Sequence, residues 1–144
     1  MRLRLQIPCE RTQLGLLLDS IEQSLLEHGI AKELRDDMRL IAEEVVCNAI
    51  EHGDDGGEHA QRRIAVDIAR DDDGLHVEFR DNGKPFDPLD QEPPELDADI
   101  LDRPIGGLGV YMVQELAERI EYARTRGLNV LKVVLPIPLP EHRT

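Results

Sequence analysis

At 144 residues the chain has room for one two-layer core and not for two independent ones. A formal net charge of -13 sets it against phosphate backbones and anionic membrane surfaces, so neither nucleic acid nor membrane is expected as a partner. With aromatics at 3% and no Trp, the core must be aliphatic, and a base-stacking platform for single strands is excluded.

Leu3, Leu5 and Ile7 alternate with Arg2, Arg4 and Gln6, the period of a half-buried strand ending at Pro8. From about 10–28, Leu14, Leu17, Leu18, Ile21 and Leu25 recur at helical spacing, and Gly29 follows as a stop signal. A second helix is predicted over about 32–51, with Leu34, Met38, Ile41, Val45 and Ala49 as its core stripe and His52-Gly53 at its end. After a loop at 54–57, alternating Ile64, Val66 and Ile68 and then Leu75, Val77 and Phe79 predict a hairpin of strands 63–70 and 75–80. Its connection, Asp71-Asp72-Asp73-Gly74, has the chemistry of a tight turn.

Residues 82–105 form a long acidic segment punctuated by prolines, the length of a functional lid or of an unstructured stretch. A third helix is expected to begin near Gly109 and to carry Val110, Val113, Leu116, Ala117 and Ile120. Strands near 120–125 and 129–135, joined at Arg126-Gly127-Leu128, follow it, and the Pro-rich tail reads as extended. This order predicts an α+β two-layer sandwich, a mostly antiparallel sheet covered on one face by three helices. Cys9 and Cys47 lack metal-ligand spacing and read as small buried hydrophobes in a reducing compartment. No apolar run reaches the ~20 residues of a membrane span, and the N-terminal one is too short for a signal peptide. The expectation is a soluble, cytoplasmic protein.

Three motifs carry chemistry. Glu44, Asn48 and His52 lie four apart, one polar stripe on a helix. The amide oxygen of Asn48 is a hard ligand suited to Mg²⁺, and Glu44 can orient or deprotonate an incoming hydroxyl. Asp81-Asn82-Gly83 follows a strand directly; a carboxylate there can accept the exocyclic amine of adenine, and Gly83 lets a ring approach the backbone. Gly106-Gly107-Leu108-Gly109-Val110 opens a helix, whose first N–H groups suit phosphates. It is neither a Walker A loop nor a dinucleotide fingerprint, because no Lys-Ser or Lys-Thr follows and no strand precedes. Each motif also has a plain reading: a solvated helix face, an Asp-Asn-Gly turn and an ordinary glycine loop.

Taken in order, the three motifs resemble those of the Bergerat-fold (GHKL) ATPases, over about 10–135. Within that superfamily the chain most resembles the anti-sigma factor serine/threonine kinases of the RsbW and SpoIIAB type. The likeness rests on Glu44-x-x-x-Asn48-Ala49-x-x-His52, on Asp81-Asn82-Gly83-x-Pro85-Phe86-Asp87-Pro88, and on the glycine motif. Glu121-Tyr122 and Gly127-x-Asn129-x-Leu131 add to it.

The resemblance implies one domain spanning 1–144, with an ATP lid over about 86–105. It implies a homodimer that binds ATP with Mg²⁺, holds a sigma factor inactive and phosphorylates a STAS-domain anti-anti-sigma protein. By the same resemblance Glu44 is the catalytic base and Asn48 the Mg²⁺ ligand. Asp81 and Gly83 hold adenine, and Gly107 and Gly109 hold phosphates. His52, Pro85, Gly106, Leu108 and Val110 are further nucleotide-binding positions. Asn129 stands in a late Gly-x-Thr box where many members carry Thr; an amide there can still reach a phosphate or a water. Two other readings stay open, a non-catalytic ATP-gated sequestering module and a histidine-kinase-type domain acting in trans.

Overall fold

The computed structural model describes residues 1–53, 62–90 and 105–137. In chain order these form β1 (Arg2–Pro8), α1 (Arg11–Glu27), α2 (Lys32–His52), β2 (Arg63–Arg70), β3 (Leu75–Asp81), α3 (Ile105–Leu116), β4 (Arg119–Thr125) and β5 (Leu128–Leu135). The strands make one sheet in the order β1-β2-β3-β5-β4, and every neighbouring pair is antiparallel. Helices cover one face, as the alternating strands and amphipathic helices require. The expected α+β sandwich is the architecture found.

Pairing lines up side chains in rows across the covered face. Leu5, Val66, Phe79, Leu131 and Tyr122 are successive partners in one row, and Leu3, Ile68, Val77, Val133 and Ile120 in the next. The third row runs Ile7, Ile64, Asp81, Asn129 and Arg124, so an apolar ladder ends in polar residues at one margin of the sheet. On the opposite face Arg2 and Arg4 both reach Asp67, at 3.1 Å each. Arg126 and Gly127, with φ of 53° and 79°, form the two-residue turn joining β4 and β5, the left-handed geometry that matches strand twist.

Helix α1 buries Leu17, Leu18, Ile21 and Leu25. It stops where the pattern predicts. Gly29 takes φ 73°, its N–H donates to Leu26 O at 3.1 Å, and the Ile30 N–H donates to Leu25 O at 3.0 Å, with Ile30 buried against the helix end. In α2 the buried run is Leu34, Met38, Ile41, Ala42, Val46 and Ala49. Val45, expected in that stripe, is only half-buried and turns toward a cavity described below.

The third helix starts at Ile105 rather than near Gly109, so the glycine motif lies in its opening turns. It also ends earlier than its apolar spacing suggests. Ala117 still donates to Val113 O at 3.0 Å, but Glu118 donates to Val134 O at 2.8 Å and hands the chain to the sheet. Ile120 is therefore a strand residue paired with Val133. The expected loop at 54–57, most of the expected lid (91–104) and the end of the tail lie outside the described residues. Among the described residues no helix is long and apolar enough to cross a membrane.

Candidate functional site

The site forms where the C-terminal half of α2 crosses the polar end of the third row. Asp81, the last residue of β3, turns its Oδ1 inward to accept two hydrogen bonds. One comes from the Gly83 N–H at 2.9 Å, the other from Asn129 Nδ2 at 3.1 Å. Asn129 is 6% exposed and uses its whole amide. Nδ2 also donates to Lys84 O at 2.8 Å, while Oδ1 accepts from the Phe86 N–H at 3.2 Å and from the Tyr122 hydroxyl at 2.6 Å. Burial raises the Tyr122 pKa, which keeps the phenol a donor to that amide.

The turn after β3 rests on the end of α2. A Cβ on Gly83 would lie 2.8 Å from Gly53 Cα and 2.9 Å from Gly53 O, an approach only glycine allows. Lys84 N–H donates to Gly53 O at 3.0 Å, and Arg124 Nη1 donates to Gly83 O at 2.8 Å. On the other side of Gly53, the guanidinium of Arg62 donates to Ala49 O and lies 3.5 Å from Cys9 Sγ. Both cysteines are free, and burial raises both thiol pKa values, so neither is a ready thiolate.

The α2 stripe faces this turn. Asn48 is 6% exposed, a buried amide on an otherwise apolar stretch. His52, one turn on, stacks face to face on Phe86, with ring centroids 4.4 Å apart and planes 9° from parallel. Between Asn48 and Ala49 on one side and Asp81, Tyr122 and Asn129 on the other lies a narrow cavity with Phe86 in its wall. Its volume is about 30 Å³, space for one or two waters.

Glu44 lies one turn before Asn48 and is half-buried. Desolvation raises its pKa most, the neighbouring Glu51 carboxylate adds to the rise, and a hydrogen bond from Asn48 opposes it. Its Oε1 is buried and has no hydrogen-bond partner among the described residues. A desolvated, unpartnered carboxylate oxygen is suited to accept a proton from a ligand or a substrate hydroxyl. Among the described residues no group of three or more His, Cys, Asp or Glu is placed to hold a metal. Nucleotide-bound Mg²⁺ takes most of its ligands from phosphates and waters, so a single amide oxygen such as that of Asn48 fits it.

Asn48, Asp81 and Asn129 thus line one cavity, His52 and Gly83 adjoin it through Phe86 and Gly53, Glu44 lies one turn before Asn48, and Pro85 is on the connection between Lys84 and Phe86. Gly106, Gly107, Leu108 and Gly109 lie in the opening turns of α3, whose first N–H groups have no partner within the helix. Val110 is 8% exposed and turned inward. Arg124 and Gly53 are parts of the site to which sequence reasoning gives no role, and Tyr122 enters it only within the Glu121-Tyr122 likeness. Only Tyr122 leaves a signal, as one of two tyrosines in a chain almost without aromatics.

An antiparallel sheet beneath three helices, with an acid-and-amide stripe over a strand-end Asp-x-Gly, is the plan of a GHKL-type ATP-binding domain. The chain belongs to the histidine kinase-like ATPase domain family, whose model matches residues 7–135. It is similar to the serine-protein kinase RsbW of Listeria monocytogenes serotype 4a (strain HCC23), 28% identical over 137 residues that cover 90% of this chain and 84% of the relative. The RsbW of Bacillus pumilus (strain SAFR-032) is 24% identical over 132 residues, covering 89% and 82%. The serine/threonine-protein kinase BtrW of Bordetella bronchiseptica (strain ATCC BAA-588 / NCTC 13252 / RB50) is 27% identical over 111 residues, covering 77% of each chain.

Proposed function

We propose that this chain is an ATP-dependent serine/threonine protein kinase that acts as an anti-sigma factor. In this reading it holds a sigma factor, or an analogous regulatory target, and releases or rebinds it as it phosphorylates a STAS-domain partner. The observation that carries the kinase reading is Glu44: a desolvated carboxylate with an unpartnered oxygen, one turn from a buried Asn48 that lines the cavity with Asp81. The relatives named as serine-protein kinases supply the class of acceptor.

Each residue then has one task. Asp81 accepts the exocyclic amine of adenine, and Gly83 leaves room for the ring. Asn48 is a ligand for Mg²⁺, which neutralises charge on the phosphates when bound. Backbone N–H groups at Gly107 and Gly109 meet the phosphates at the start of α3. Glu44 orients the acceptor hydroxyl and takes its proton as the new O–P bond forms and the bond to the leaving ADP breaks. The proposal includes a single domain with a lid over about 86–105, and a homodimer as the acting unit.

The test is transfer of labelled γ-phosphate to a STAS-domain partner, with Glu44→Ala and Asn48→Ala as controls. Acid-stable phosphoserine or phosphothreonine that both variants abolish is the expected result. Acid-labile phosphate on a histidine points instead to a histidine-kinase-type activity. ATP binding without any transfer points to a sequestering module.

A further inference from the structure

We propose that Asn129 is a positioning residue, which acts on the nucleotide through Asp81 and not by contact, with Tyr122 holding it in place. This rests on the nucleotide reading above. A carboxamide has two N–H donors and room for two acceptor bonds, and all four are engaged inside the protein. Its orientation is fixed by the backbone: Lys84 offers only a carbonyl oxygen and Phe86 only an N–H, so a flipped amide would lose both bonds.

The consequence falls on Asp81. Its Oδ1 is filled by Gly83 and Asn129, and no hydrogen bond to Oδ2 is made among the described residues. Asp81 lines the cavity, and with Oδ1 engaged its Oδ2 is the oxygen left to act as an acceptor. It therefore accepts from the 6-amine of adenine and finds no complement in a purine lacking that amine. The same amide ties down Lys84 and Phe86, so the acceptor and the first residues leading toward α3 share one anchor.

A threonine in this place has a single O–H donor and cannot serve both Asp81 and Lys84. The amide is thus a different solution to holding the strand-end carboxylate, and it needs the Tyr122 hydroxyl to fill its second acceptor site. Tyr122 and Asn129 are two halves of one device on adjacent strands.

The experiment compares dissociation constants for ATP and for purine riboside 5′-triphosphate, which lacks the 6-amine. The proteins are wild type, Asn129→Asp and Tyr122→Phe. Wild type is expected to prefer ATP by about 10-fold or more, the loss of one charge-assisted hydrogen bond. Asn129→Asp is expected to erase that preference while the affinity for the amine-free nucleotide is largely kept. Tyr122→Phe is expected to reduce the preference by about 3-fold, the scale of one supporting hydrogen bond. Melting curves establish that each variant is folded, and Tyr122→Phe carries the test if Asn129→Asp is not. A folded variant that keeps the full preference, or one that loses both nucleotides equally, overturns the proposal. Failure of the wild type to bind ATP overturns the nucleotide reading itself.

Discussion

The N–H of Lys84 donates to the carbonyl oxygen of Gly53 at 3.0 Å, fastening the turn after β3 to the end of α2. Two chemically distinct motifs, one on a helix and one on a strand, are thereby held at a fixed separation. Contact between Gly53 and Gly83 makes that possible, since a Cβ on Gly83 would lie 2.8 Å from Gly53 Cα. Gly83→Ala is expected to cost about 1–3 kcal/mol of stability, because backbone must move, and to weaken ATP binding with it. Gly15→Ala is the contrast: nothing lies within 4 Å of a Cβ there, and a gain of about 0.5–1 kcal/mol is expected from helix propensity alone. Urea unfolding of the two variants measures both.

Glu44→Gln is expected to slow phosphoryl transfer by about 10²–10⁴-fold while ATP still binds. It is also expected to raise the melting temperature at neutral pH. Burial lifts the Glu44 pKa in the folded protein, so between the ordinary and the raised value the native state holds a proton that the unfolded chain has already released. Stability therefore falls as pH rises from the ordinary glutamate value through the raised one, and the ionised carboxylate is a net cost above that window. The gain from Gln should vanish below it. Transfer by the wild type should show an acid limb displaced upward from an ordinary glutamate, and Glu51→Gln should move that limb to lower pH. Melting scans and rate profiles across pH check both signs.

Asn48→Ala removes the buried amide one turn from Glu44. ATP affinity in Mg²⁺ is expected to fall at least about 10-fold, as for the loss of a metal-site residue. With the metal chelated, variant and wild type should bind ATP alike. Titration calorimetry with and without chelator separates a metal ligand from a residue that merely shapes the pocket.

Phe86, stacked on His52, forms part of the wall of the narrow cavity. A base that enters past this stack has to move the ring aside. Phe86→Ala is expected to speed ATP association by about 2–10-fold, the equivalent of one aromatic pair. Stopped-flow measurement of the on-rate checks this, and an unchanged rate shows that the stack stands clear of the entry path.

Much of this was legible because local chemistry and global fold agree. Alternation in 63–70 and 75–80 placed Asp81 at a strand end, and Gly29 marked the stop of α1. The α2 stripe was half legible: a helix covered by α1 on one side and facing the site on the other buries a wide band, so Val46 and Ala42 entered the core and Val45 the cavity wall. The start of α3 was hidden because Gly106, Gly107 and Gly109 are poor helix formers, and helix residues with no side chain read as loop. Ile120 was claimed both by the helix and by the strand that follows, because its spacing from Val113 and Leu116 suits either, and the structure gives it to the strand. The bonds of Asn129 were out of reach, since Asp81 lies 48 residues away and meets it only once β3 and β5 pair.

That pairing gives strand alignment a chemical meaning. Strand β5 is apolar on both faces, with Leu131, Val133 and Leu135 on one side and Val130 and Val134 on the other. Hydrophobic burial alone therefore discriminates weakly between the native alignment and one displaced by a single residue. Asn129 and Lys132 break the tie. The displaced strand would bring Val130 beside Asp81, turn the lysine inward and carry the amide to the open face. The residue that orients the candidate nucleotide acceptor is thus also one of two that tell the strand where to stop. A slip of β5 by one residue against β3 would part Asn129 from Asp81 in a protein that still buries most of its aliphatic surface.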